Sequence, residues 1–221
     1  MTDGLPGVPH PDEQTIVGLA VRFGTGDLNP HFFNYPTLWT YAVFGGYLAL
    51  YAGGRLLGWV DSPAAFAAAY AVDPTPWFAT GRVMAAVLGA ATVPLAWHLA
   101  RALGASPLAW LAAAAVALSP LHIAHSRLTL NDVPLAFATT AALVLLVDHA
   151  RGAGRWPPWG LGLAAGLAVS VKYTAMALLI PLVLAVALRA GRGERLGAVL
   201  RAGAAMAAGF VAGTPFALLD P

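Results

Sequence analysis

No cysteine occurs among the 221 residues, so disulfides and thiolate metal sites are excluded and the redox compartment is left open. Charge is scarce as well. Only 10% of the chain is Asp, Glu, Lys or Arg, whereas ordinary soluble domains carry about 25%. So few charges cannot cover a water-facing surface. A formal net charge of +2 carries no message about nucleic acid. Met1 leads into "TDGLPGVPHPDE", which has neither the basic start nor the apolar run of a cleavable signal peptide. The last residues, "GTPFALLDP", break off just after an apolar run, and the expectation is a portion truncated at both ends. What abounds is apolar: 59% of residues are hydrophobic and the mean hydropathy is +0.71. The class predicted is an all-α, polytopic membrane protein.

Crossing a bilayer takes about 20 apolar residues in a helix. Candidate spans are 80–100, 106–122, 133–149 and 198–213, with 157–188 long and interrupted by "VKYT". The stretch 37–59 is also apolar, but it is rich in aromatics and ends in Gly53, Gly54 and Arg55. Arginine placement decides among topologies, because cytoplasmic loops carry the excess of Lys and Arg. Suppose 37–59 lies in the interface and 157–188 is a hairpin turning at Lys172. Arg101, Arg151, Arg155, Arg189, Arg192, Arg195 and Arg201 then share one side. Asp3, Asp12, Glu13, Asp27, Asp61, Asp73, Asp132 and Asp220 share the other. The expectation is therefore one domain. A first extracytoplasmic loop covers 1–79, with juxtamembrane helices at 13–24 and 37–55, and about six transmembrane helices follow over 80–213. Trp39, Tyr41 and Trp77 are expected as interfacial anchors. Residues 159–171 rise only about 20 Å at 1.5 Å per residue, which recesses Lys172. A recessed lysine is costly unless it is paired or faces water, and so it marks a site.

The run "PHPDEQTIVGLAVRFGTGDLNPHFFNYP" over 9–36 is densely polar for such a chain. Asp12 and Glu13 suit the first turn of a helix, and "TIVGLAVRF" suits an interfacial helix. "HIAHSRLTLND" over 122–132 lies between two spans. There, Asn131 or Asp132 suits an N-cap, with Pro134 close behind. Those readings leave unexplained why His122, His125 and Arg127 gather at the same boundary. A bare His-x-x-His pair is weak evidence for a metal. Arg82 and Lys172 have snorkelling as their plain alternative. Taken together, carboxylates from two loops and cations from a third suit one chemistry: a carboxylate takes a proton from a nucleophile, while cations stabilise charge on a phosphate leaving group. In a membrane the natural carrier of that phosphate is a lipid. The carboxylates offer oxygen ligands for a divalent cation, but no spacing requires one.

The ordered set "PDEQTIVGLAVRFGTGDLNPHFFNYPTLWTYAVFGGYL", "GRVMAAVLGAATVPLAWHLARALG", "HSRLTLNDVPLAFATTAALVLL" and "GLAVSVKYTAMALLIPL" resembles the GT-C membrane glycosyltransferases. The nearest group is the protein-mannosyltransferase-like, Rgt-like branch, with the lipid A aminoarabinose transferases in the same superfamily. The resemblance implies a GT-C-type helix bundle with juxtamembrane helices in its first outer loop. It implies an inverting transfer from a polyprenyl-phosphate sugar to a lipid, glycan or protein acceptor at the outer face of the cytoplasmic membrane. Asp12 stands where that family has its acidic residue and is implied as the base; Glu13 beside it and Asp132, the acid of the second loop, are expected to orient the acceptor or help to bind it. Lys172 matches a position near the donor phosphate. Tyr35-Pro36 stands where the aminoarabinose branch has Lys-Pro, so Arg82, Arg127 or Lys172 replaces that phosphate contact, with Tyr35 and His125 in the substrate site. The family has a helix before the Asp-Glu pair and several more beyond this C-terminus, which again implies a portion of a longer enzyme. The rival classes are a polytopic transporter and an inactive membrane fragment.

Overall fold

The computed structural model describes residues 2, 4, 5 and 10–220, and Asp3 of the acidic set lies outside them. Among the described residues there are α-helices and short 3-10 helices and no strand. The fold is an all-helical, polytopic membrane one. Three helices among the described residues are long and apolar enough to cross a membrane: α4 (Thr75–Ala102), α7 (Asp132–Ala150) and α10 (Arg195–Gly213). Shorter apolar segments lie between them: α5 (Ala109–Ala117), α8 (Pro158–Val169), and α9 (Leu179–Arg189) with the 3-10 helix that leads into it. The remaining helices are α1 (Pro11–Arg22), α2 (Leu38–Leu56), α3 (Pro63–Val72), α6 (Pro120–His125) and α11 (Phe216–Leu219).

The single span expected over 106–122 is broken. Pro120 has no N–H with which to continue a helical ladder, and Ser119 turns the break into a new start by accepting the His122 N–H at 3.3 Å. By contrast, 157–188 reverses where expected. α8 ends at Val169, and Lys172 is the extended residue before the 3-10 helix Tyr173–Leu178. The reversal is tied from two sides. The buried Ser170 hydroxyl donates to the Phe210 carbonyl at 2.7 Å, and Asn131 Nδ2 donates to the Val171 carbonyl at 2.7 Å. Asn131 thus makes no side-chain cap on α7, as its position had suggested; it holds the turn that carries Lys172.

Small residues set the helix spacing. Gly162 lies against Ala202, Gly166 against Met206 and Ser170 against Gly213, so α8 and α10 run parallel with backbone nearly on backbone. Close approach of this kind is how helices associate where lipid removes the hydrophobic drive. On the other side of the bundle Gly89 meets Ser126 and Val133, while His98 pairs with Asp148, so α4 and α7 are also parallel. These directions gather Arg101, Arg151, Arg155, Arg189, Arg195 and Arg201 at one end of the bundle and Asp12, Asp132 and Lys172 at the other. Trp97, Trp110, Trp156 and Trp159 are exposed near the arginine end. Trp39 and Trp77, expected as interfacial anchors, are instead buried at 3% and 2% exposure. Trp77 packs on Phe66 at 4.7 Å and Tyr70 at 5.3 Å, which completes the core under α1 and α2.

Replacing Gly166 by Leu forces a side chain into the Met206 carbonyl. The expected cost is about 1–3 kcal/mol or more, read as a lower unfolding temperature in detergent; an unchanged temperature rejects the close α8–α10 contact.

Candidate active site

Helix α1 begins with His10 at its cap, whose Nδ1 accepts the Asp12 N–H at 3.3 Å, and with Pro11 in the first turn, where its missing N–H costs nothing. Ile16, Val17 and Ala20 face the core. Glu13 lies on the same inward side and is fully buried. Arg82 of α4, 1% exposed, meets it with a two-pronged pair: Nε to Oε1 and Nη2 to Oε2, both 2.8 Å. The Thr129 N–H donates to Oε1 as well, at 2.9 Å. Gly81 leaves the room that the Thr129 side chain occupies. One charged knot therefore joins α1, α4 and the loop before α7, and it is closed to solvent.

Asp12, one residue earlier, is half-buried at the rim, and the Tyr35 hydroxyl donates to its Oδ2 at 3.2 Å. Burial first, and then the Asp12 carboxylate, push the Tyr35 phenol above its ordinary 10.0. The nearby charges of Lys172 and Asp132 act on the same phenol, in opposite directions. Lys172 Nζ lies 2.8 Å from Asp132 Oδ1, and His125 Nδ1 lies 3.8 Å from Asp132 Oδ2. Lys172 and Asp132 are 28% and 43% exposed, so this pair, unlike Glu13–Arg82, is open at the surface. Arg127 is exposed in the adjoining loop. Asp12, Tyr35, Asp132, Lys172 and His125 thus form one open polar face, while Glu13 and Arg82 lie behind it.

The loop over 26–37 is bound to that face by groups the sequence reading did not single out. Thr37 Oγ1 donates to the Gly213 carbonyl at 2.8 Å, the Leu38 N–H to the Ser170 carbonyl at 3.1 Å, and the Tyr173 hydroxyl to the Phe33 carbonyl at 2.9 Å. Asp27 Oδ1 accepts the Asn29 N–H at 2.9 Å, and Asn29 Oδ1 accepts the His31 N–H at 3.0 Å. The Asn29 N–H, with the His31 ring next, holds the Asp27 carboxyl below its usual range. Much of the opening polar run therefore builds this loop. Among the described residues no group of three or more His, Asp or Glu comes together to hold a metal ion.

The family model described as dolichyl-phosphate-mannose-protein mannosyltransferase matches residues 49–192. The chain belongs to that family. Arg82, His125, Arg127, Asp132 and Lys172 fall within the matched stretch, whereas Asp12, Glu13 and Tyr35 precede it. No curated protein and no solved structure matches the chain.

Breaking the buried pair leaves a buried charge without the opposite charge it is paired with, so Glu13→Gln or Arg82→Gln is expected to cost about 3–5 kcal/mol. The double change to Glu13→Leu with Arg82→Met should cost less than the two single changes summed; thermal unfolding of all three variants in one detergent checks this. The Tyr35 phenol stays protonated at neutral pH, since its raised pKa lets it lose the proton only above the ordinary value. The difference in activity between wild type and Tyr35→Phe should therefore stay flat from about pH 6 to about pH 9. A difference that vanishes inside that window rejects the phenol as the donor to Asp12.

Proposed function

We propose that this protein is a membrane glycosyltransferase that moves mannose, or a closely related hexose, from a polyprenyl phosphate to a hydroxyl acceptor at the outer face of the cytoplasmic membrane. The observation that carries this reading is the open face itself: a base candidate, Asp12, accepts the Tyr35 hydroxyl at 3.2 Å, and beside it an ammonium, Lys172, lies 2.8 Å from a second carboxylate, Asp132. Family membership supplies the reaction class, and the gathering of arginines at the opposite end favours an outward-facing site.

In this mechanism the acceptor oxygen attacks the anomeric carbon while Asp12 takes its proton. The bond from that carbon to the phosphate oxygen breaks, and the electron pair leaves with the lipid phosphate, so the configuration inverts. Lys172 and Arg127 stabilise the departing charge. Asp132 positions Lys172 through the 2.8 Å contact. The Tyr35 O–H keeps Asp12 turned toward the face. Glu13 and Arg82 take neither the acceptor-orienting nor the phosphate-binding role expected of them, because each already satisfies the other out of solvent; they position α1. Asp12 and Asp132 have the oxygen chemistry to hold a divalent cation, and no step here runs through one.

Transfer from polyprenyl-phosphate mannose, measured in membranes at matched protein levels, should fall by about 10²–10⁴-fold on Asp12→Asn. Transfer that survives moves the base elsewhere, Asp132 being next. Lys172→Gln should impair donor use while leaving expression intact.

A further inference from the structure

Beside Asp132 lies a cleft of about 240 Å³ that none of the steps above uses. It is lined by Ser119, Leu121, His122, His125, Asp132 and Val133. At roughly 30 Å³ per water it holds about eight waters' worth of volume, below the ~300 Å³ at which pockets for drug-sized ligands begin. It fits one small polar ring.

The lining is chemically two-sided. His122 Nε2 lies 3.1 Å from the Gly89 carbonyl of α4. A carbonyl only accepts, so Nε2 carries the proton, and in the neutral ring Nδ1 is left as an acceptor. His125 Nδ1 is buried and has no hydrogen-bond partner among the described residues; Asp132 Oδ2, at 3.8 Å, is beyond hydrogen-bond reach. Ser119 Oγ accepts from the His122 N–H, leaving its own O–H to donate. Leu121 and Val133 supply the apolar wall. An accepting ring nitrogen on His122, a carboxylate oxygen, the unpartnered His125 Nδ1 and a hydroxyl on one side, with aliphatic carbon on the other, match a pyranose, whose hydroxyls both donate and accept and whose C–H face is apolar.

We infer that this cleft binds the sugar ring of the donor, with His125 as a specificity-determining residue. The inference rests on the donor reading above. Its geometry is consistent with that reading, because Asp132 spans both places: Oδ1 holds Lys172, the phosphate end, while Oδ2 faces the cleft. A sugar there has its phosphate beside Lys172 and its hydroxyls on the two histidines.

The test compares two dissociation constants for the purified protein in lipid discs: one for a bare polyprenyl phosphate, one for the same lipid carrying mannose. Wild type should bind the mannosyl lipid about tenfold more tightly, the size of one or two well-made hydrogen bonds. The ratio should fall toward one in His125→Ala, and again in Leu121→Trp, where an exposed residue at the cleft is enlarged to fill it. A partly unfolded preparation weakens both lipids alike and leaves the ratio unmoved. Equal binding of the two lipids by wild type, or a ratio that survives both substitutions, overturns the cleft assignment. If the bare lipid does not bind at all, the donor reading itself fails and the cleft assignment falls with it.

Discussion

The buried Glu13–Arg82 pair is the constraint on which the rest of the structure depends. Removing two charges from water costs several kcal/mol per ion unless geometry and extra hydrogen bonds compensate. Here both carboxylate oxygens are engaged, and a backbone N–H from the α6–α7 loop adds a third contact. Successive residues of an α-helix are about 100° apart around its axis. Fixing the Glu13 side chain inward therefore turns Asp12 about 100° away, onto the open rim where Tyr35 meets it. The inner carboxylate thus aims the outer one, and two adjacent acids take opposite jobs.

Lys172 is the only lysine in the chain; every other fixed cation is an arginine. An arginine fork against Asp132 would form a closed two-pronged pair like the one inside. An ammonium has three N–H donors, and the Asp132 contact uses one of them. The remainder suit a second anionic oxygen. Partial exposure keeps the Lys172–Asp132 attraction screened and weak enough to rearrange. Its position, by contrast, is firmly held, with Asn131 on one side of the turn and Ser170 reaching α10 on the other.

The class of fold follows from composition, and the hairpin at Lys172 follows from asking which topology puts the arginines together. Hydropathy over 106–122 passed over Ser119-Pro120, where a single missing N–H outweighs a favourable average. Trp77 lies in the core because its neighbours Phe66 and Tyr70 come from another helix, and Trp39 because it joins the cluster under α1; pattern along one helix does not show what packs across it. The same limit hid the fate of Glu13. Its partner is 69 residues away, and nothing in an isolated Asp-Glu pair says which of the two is buried. The presence of Asp12, Asp132 and Lys172 in one place was legible, since loops on one side of a membrane converge. Thr37, Asn131 and Ser170 act through bonds to backbone carbonyls that exist only once the helices are packed.

Helix α8 has 12 residues, a rise of about 18 Å, against a hydrocarbon core of about 30 Å. The shortfall is built in, since its glycines lock it to α10 and leave it little freedom to slide or tilt. Bilayers meet a short lipid-facing span by thinning around it, but α8 is packed among helices long enough to cross on their own. Its length is therefore set by its partner rather than by the bilayer: Ser170, one residue past its end, meets Gly213 at the end of α10. The turn that carries Lys172 thus comes level with the end of a full-length helix, and a close contact between two small residues sets the height of the ammonium against the rest of the bundle.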